Sequence, residues 1–220
     1  MKTLNHHLII SGILFSIVLF LWPIFMGMSQ PQGSDAGQLN WVSQHLSLYK
    51  VQFFFAFLLS PAILYMMAAQ LDRVPAGHWI ARRIGWVFLG GYFVLNSIAY
   101  ASQMILVPQL IRAGRFEHAL IWYFGSSASV IYFLNQMGYC FWAIGVIVLF
   151  SPQAREKGMI RWISLVYLLS AVLSIFAFAG LILDNKALNS LTLPSGLALV
   201  PVGILTVLWG FREGRRKRID

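Results

Sequence analysis

Asn96, Tyr100 and Gln103 stand at i, i+4 and i+7 in an otherwise apolar stretch of this chain. Tyr132, Gln136 and Tyr139 repeat that spacing, with Asn135 beside them. On a helix such spacing sets each trio on one face. Amides and phenols offer hydrogen-bond donors and acceptors without a charge near neutral pH. They can hold a small polar molecule or a lipid headgroup, or they can cross-link two helices. The strings Leu95-Asn96-Ser97-Ile98-Ala99-Tyr100 and Leu134-Asn135-Gln136-Met137-Gly138-Tyr139 are also alike. Two readings therefore stand side by side. One is interhelical hydrogen bonding, worth about 0.6 kcal/mol per bond in membranes. The other is a cavity with a polar floor.

The one dense ionisable segment on the same side of the sequence map is Arg112-Ala113-Gly114-Arg115-Phe116-Glu117-His118. Arg112 and Arg115 suit an anionic headgroup or substrate. Glu117 and His118 belong to the same candidate contact, and all four would serve an enzyme working on a lipid or isoprenoid at the outer face; a solvated loop between helices is the plainer reading.

Other chemistry is missing. Cys140 is the single cysteine, which leaves no internal disulfide and no Cys-x-x-Cys pair. The histidines His6, His7, His45, His78 and His118 fall at the ends of apolar stretches or between them. The His6-His7 pair has no cysteine or carboxylate support as a metal site. No His-Glu-x-x-His, phosphate loop or Gly-x-Ser-x-Gly occurs. No catalytic, cofactor or metal-ligating residue is assigned.

The elements that must position these groups are long and greasy. Hydrophobic residues make up 59% of the 220 residues and charged residues 10%, against about 25% charged in a soluble domain. Mean hydropathy is +0.72. A helix needs roughly 20 apolar residues to cross a hydrocarbon core about 30 Å thick. Six stretches qualify: 8–26, 51–69, 84–107, 129–150, 160–183 and 191–211. Backbone groups in lipid must be satisfied within the segment, so these stretches are predicted to be helices. Alternating ten-residue strands of a barrel are not seen. The expectation is one all-α domain, a polytopic bundle of six transmembrane helices.

Net charge is +9, which invites a nucleic-acid reading, but its distribution argues for topology instead. Twelve of the sixteen basic residues fall with the two termini, and the other four (Lys50, Arg112, Arg115 and Lys186) on the opposite side. Cytoplasmic loops collect Lys and Arg, so both termini are predicted to be cytoplasmic. Lys2 begins the chain on that side. Arg215, Arg216, Lys217 and Arg218, in the basic tail 212–220, read as an anchor beside anionic lipid. The first span, at 19 residues, exceeds a signal-peptide core of about 7–15 and is expected to be a retained helix.

Between the spans, the segment 29–49 is the one long external loop. Its second half is weakly amphipathic and suits a short interfacial helix, with a lid over an external cavity as the functional variant. The uncharged run 119–154 is longer than one helix needs. Residues 117–124 read as an interfacial turn or helix and 129–150 as the span, with a re-entrant dip at 125–129 as the other reading. Pro75 and Gly77 mark a turn between the second and third spans. Pro23, Pro61 and Pro201 lie inside spans and are expected to kink them locally.

Small residues mark close packing. Gly196, Gly203 and Gly210 fall seven apart, as do Gly138 and Gly145, and Ser170, Ser174 and Ala177 share a face. A packed bundle accounts for them, and a homo-oligomer face is the second reading. No Asp, Glu, Lys, Arg or His is expected near the bilayer centre, which counts against a proton-coupled pump. The leading functional expectation is a non-catalytic binding, accessory or permeation module in a bacterial cytoplasmic (inner) membrane. Its partners would be membrane lipids and a small-molecule or lipid ligand, with no nucleic acid. The alternatives are the lipid-directed enzyme and a facilitative or ion-coupled transporter.

Overall fold

The computed structural model describes residues 2–29, 31, 33–73 and 79–216. The turn expected at Pro75 and Gly77, and the tail residues Lys217 and Arg218, lie outside the described residues, as does the side chain of Lys2. Among the described residues the chain is helical, with no strand. The helices are α1 (Lys2–Met28), α2 (Asp35–Gln44), α3 (Leu46–Leu71), α4 (Trp79–Met104), α5 (Leu106–Arg112), α6 (Phe116–Trp122), α7 (Val130–Phe150), α8 (Met159–Ile182), α9 (Lys186–Asn189), α10 (Thr192–Leu197) and α11 (Val200–Arg216).

Among the described residues six stretches are long and apolar enough to cross a membrane: Asn5–Met28, Leu46–Leu71, Trp79–Arg112, Val130–Phe150, Met159–Ile182 and Lys186–Gly214. Their outward faces are apolar as well. Phe20, Val87, Leu169 and Ile204 are each more than half exposed. An unbroken apolar exterior of this kind is solvated by lipid tails and not by water. The chain is an all-α integral membrane protein.

Proline explains where two spans depart from the single straight helices expected. Pro108 has no N–H to offer the carbonyl of Met104. α4 stops there, and α5 resumes after Ile105. The last span is broken twice, at Ser190–Leu191 and at Ala198–Leu199. Pro194 and Pro201 each sit in the first turn of the following helix, where a missing N–H costs nothing. Pro23 and Pro61 instead lie inside helices that continue through them.

Neighbouring spans pack antiparallel in a ring: α1 on α3, α3 on α4, α4 on α7, α7 on α8, α8 on α10 and α11, and α11 back on α1. α11 also touches α3, so the ring is filled in. Its interior toward the terminal end holds Leu8, Phe15, Met66, Met67, Trp142, Tyr167 and Val202. A second apolar cluster at the far end joins Leu39 and Val42 of α2 to Tyr49, Phe53, Val107, Ala119 and Tyr123.

Lipid tails are as apolar as leucine, so burial alone does not drive helices together in a membrane; close backbone contact does. Glycines supply it at two seams. A Cβ added at Gly145 would lie 3.0 Å from the carbonyl oxygen of Gly85, and one at Gly12 2.9 Å from that of Gly203. Gly203 and Gly210 thus serve the α1–α11 seam within the chain, and Gly138 and Gly145 the α4–α7 seam. At Gly196 an added Cβ would meet nothing within 4 Å. Ser170 of α8 donates to the carbonyl of Ser195 at 2.8 Å, which fixes the broken end of the last span.

Candidate functional site

Seven uncharged polar residues were expected to meet between the third and fourth spans. The structure distributes them over three places, because a helix inside a bundle touches two neighbours and one polar stripe can serve both. Asn96, Tyr100, Asn135 and Tyr139 lie along the α4–α7 seam. The Tyr100 and Tyr139 hydroxyls are 3.0 Å apart. Asn96 is fully buried and faces Gly138, where a Cβ would collide with its Oδ1.

Tyr132 and Gln136 turn the other way, toward the broken start of the last span. The Tyr132 hydroxyl donates to Asn189 Oδ1 at 3.0 Å, and Gln136 Nε2 donates to Thr192 Oγ1 at 2.9 Å. Thr192 returns a bond to Gln136 Oε1 at 3.2 Å. These bonds hold α9 and α10 against α7 where the span lacks regular helix.

Gln103 is the hub of the far end. Its Oε1 accepts from the Tyr49 hydroxyl at 2.6 Å and from the Phe124 N–H at 3.0 Å. Its Nε2 donates to the Trp122 carbonyl at 2.7 Å and to Ser102 Oγ at 2.9 Å. One fully buried amide therefore joins α3, α4 and the α6–α7 connection. Next to it the Tyr123 hydroxyl donates to Gln38 Oε1 at 3.0 Å, which fastens α2 over the same end. Residues 125–129 complete this cap as turns, and Ser129 Oγ accepts from the Tyr132 N–H to start α7.

Tyr123 lies outside the spanning segments, and its hydroxyl is pushed up to about 12, chiefly by burial and secondly by the Asp35 carboxylate. A raised value means that folding favours the neutral phenol. Its contribution is intact below about pH 10, the ordinary value for tyrosine, and is lost as pH rises toward 12. A phenolate can no longer donate to Gln38. Alkaline titration is therefore expected to release α2 before the spans separate. The difference in 295 nm absorbance between wild type and Tyr123→Phe should show this phenol titrating near pH 12; a midpoint near 10 would contradict it.

The seam between α4 and α7 differs from the hub in one respect. Both side-chain polar atoms of Asn96 are buried without a hydrogen-bond partner, and so is Asn135 Oδ1 on the facing helix. The Asn96 amide lies near the Tyr92 hydroxyl, yet no bond of proper geometry forms. Tyr92 itself receives the Ser60 hydroxyl at 3.3 Å. Most buried polar atoms in folded proteins are paired. Asn96 is the one amide among the described residues whose buried oxygen and nitrogen both lack a hydrogen-bond partner.

Arg112, Arg115, Glu117 and His118 are all exposed: Arg112 ends α5, Arg115 lies on the turn to α6, and Glu117 and His118 are on α6. They stand apart from the buried seam. Among the described residues no three His, Cys, Asp or Glu side chains gather as a metal site.

A further polar set went unread in the sequence. Gln70 of α3 donates to Thr206 of α11 at 2.6 Å, and Arg73 donates to Asn5 of α1. Gln70 Oε1 and the Tyr167 hydroxyl lie close together without a bond of proper geometry. These residues come from α1, α3, α8 and α11 and from just past the end of α3, so no spacing within one helix marks the group; only the ring packing assembles it. Beyond this geometry there is no likeness to lean on, for the chain matches no protein-family model, no curated protein and no solved structure.

Proposed function

We propose that this chain is a non-catalytic membrane module, with both termini cytoplasmic, that binds a small uncharged polar molecule or the polar head of a lipid at the α4–α7 seam. The unpaired, fully buried amide of Asn96 carries the reading. Leaving such a group unsatisfied costs about 1–3 kcal/mol. A ligand with one donor and one acceptor would remove that cost, with Asn135 Oδ1 across the seam as a further acceptor. The neutral lining of Tyr92, Tyr100 and Tyr139 favours a ligand without charge. The far-end cap made by α2, α5 and α6 is the element that would open to admit it, since the Gln103 and Tyr123 bonds are what keep it shut.

Asn96→Leu keeps the side-chain shape and removes both polar atoms. The variant is expected to unfold in detergent at a temperature equal to or above that of wild type. Native mass spectrometry after gentle extraction is expected to show a small molecule bound to wild type and missing from the variant. An identical bound species on a stable Asn96→Leu protein, or none on wild type, would overturn the reading.

A further inference from the structure

At the terminal end of the bundle, one face of the first turns of α4 carries a shallow, open groove of about 640 Å³ bordered by Trp79, Arg82, Arg83, Trp86 and Val87. The spacing i, i+3, i+4, i+7 and i+8 puts these residues on one helix face. The groove sits where the apolar span Trp79–Arg112 begins, so it lies at the depth of lipid headgroups. Its chemistry is two-part. The Arg83 guanidinium is 4.6 Å from the centre of the Trp79 ring, which holds it in place over an indole. Arg82 is 3.3 Å from the Asp72 carboxylate, an exposed and weak pair that leaves donors free. Two guanidiniums against one carboxylate leave the mouth of the groove positive.

The same stripe continues into the membrane through Gly90 and Val94. Gly90 is exposed, and a Cβ built there would meet nothing within 4 Å. Val87 and Val94 are among the most exposed apolar residues of α4. The absence of a side chain at Gly90 leaves a shallow lane between the two valines, running from the arginines toward mid-membrane. A positive mouth at headgroup depth with an apolar lane behind it is complementary to one kind of molecule.

We infer that this groove is a binding site for an anionic phospholipid, with its phosphate between Arg82 and Arg83, its glycerol region against Trp79 and Trp86, and one acyl chain along Val87, Gly90 and Val94. Guanidinium donors match phosphate oxygens in geometry as well as in charge. The basic residues assign this end to the cytoplasmic leaflet, where anionic lipid is concentrated. The site is separate from the α4–α7 seam and does not depend on it.

The test uses the full chain in detergent, titrated with dioleoyl phosphatidylglycerol or dioleoyl phosphatidylcholine, with bound lipid counted by native mass spectrometry. Wild type is expected to retain phosphatidylglycerol at least tenfold more strongly than phosphatidylcholine. Arg82→Gln/Arg83→Gln should lower that preference about tenfold or more, whereas the charge-matched control Arg155→Gln/Lys157→Gln, at the same end of the bundle, should leave it unchanged. Gly90→Leu, which fills the lane without touching the fold, should weaken phosphatidylglycerol binding while the arginines are intact. Equal retention of the two lipids by wild type, or equal loss of preference in the control, would overturn the inference. So would undiminished binding by Gly90→Leu.

Discussion

Gln103→Leu is expected to lower stability by about 3 kcal/mol and to open the far end of the protein. Leucine fills the volume but leaves three groups without that partner: the buried Tyr49 hydroxyl and the half-buried Phe124 N–H and Trp122 carbonyl. Each unsatisfied group costs about 1–3 kcal/mol, and groups near the membrane surface recover part of that from water. The sum exceeds what three ordinary membrane hydrogen bonds are worth, roughly 0.6 kcal/mol each, because loss of a partner costs more than the bond contributed. In a chain of this length the unfolding midpoint should fall by about 6–12 °C. The loss should also be local. A cysteine at Ser127, in a Cys140→Ala background, is expected to react with maleimide several-fold faster when Gln103 is leucine. An unchanged midpoint together with unchanged labelling would show that the amide does not hold the cap.

The second large effect is steric, and it has a built-in opposite. At Gly145 an alanine Cβ would lie 2.9 Å from Leu89 Cγ and 3.0 Å from the carbonyl oxygen of Gly85. The leucine can move but the backbone of α4 cannot, so α4 and α7 must separate. Gly145→Ala is expected to cost about 2 kcal/mol, in the usual range for overpacking, and Gly145→Leu more. Gly90, on the same helix pair, has open space where its Cβ would be. There, alanine is the better helix former and should be neutral or stabilising by about 0.5–1 kcal/mol. Thermal unfolding of the two alanine variants side by side checks the sign of each. Equal effects would mean that the α4–α7 seam is looser than described.

The six apolar helices were legible because lipid leaves the backbone no other solution, and a run of about 20 uncharged residues is hard to mistake. The breaks were less so. Pro201, expected to kink a span, lies in the first turn of α11 after a gap, and Pro108, one residue past the stretch 84–107, ends α4. Proline marks a missing bond, but whether the chain bends or stops depends on what can satisfy the freed carbonyl, and that is set by neighbouring helices.

Spacing places Tyr132, Gln136 and Tyr139 along one stripe of α7. It could not say that two neighbours share that face, so Tyr132 and Gln136 meet Asn189 and Thr192 while Tyr139 meets Tyr100. Spacing assigns Gln103 to the polar centre, but two of its partners, the Trp122 carbonyl and the Phe124 N–H, are backbone atoms, and backbone carries no sequence signal. Gln70 and Thr206, 136 positions apart, form no pattern in the sequence and meet only because the last span packs against the second.

The crossing itself is open to a direct measurement. Single cysteines at Asn40, Gly114 and Asn185 mark the far end of the bundle, and cysteines at Asp72 and Lys157 the terminal end, all in a Cys140→Ala background. In intact cells a membrane-impermeant maleimide is expected to label the first three, and to reach the last two only after permeabilisation. Labelling of both sets before permeabilisation would contradict a chain that threads the membrane six times with its termini on the cytoplasmic side.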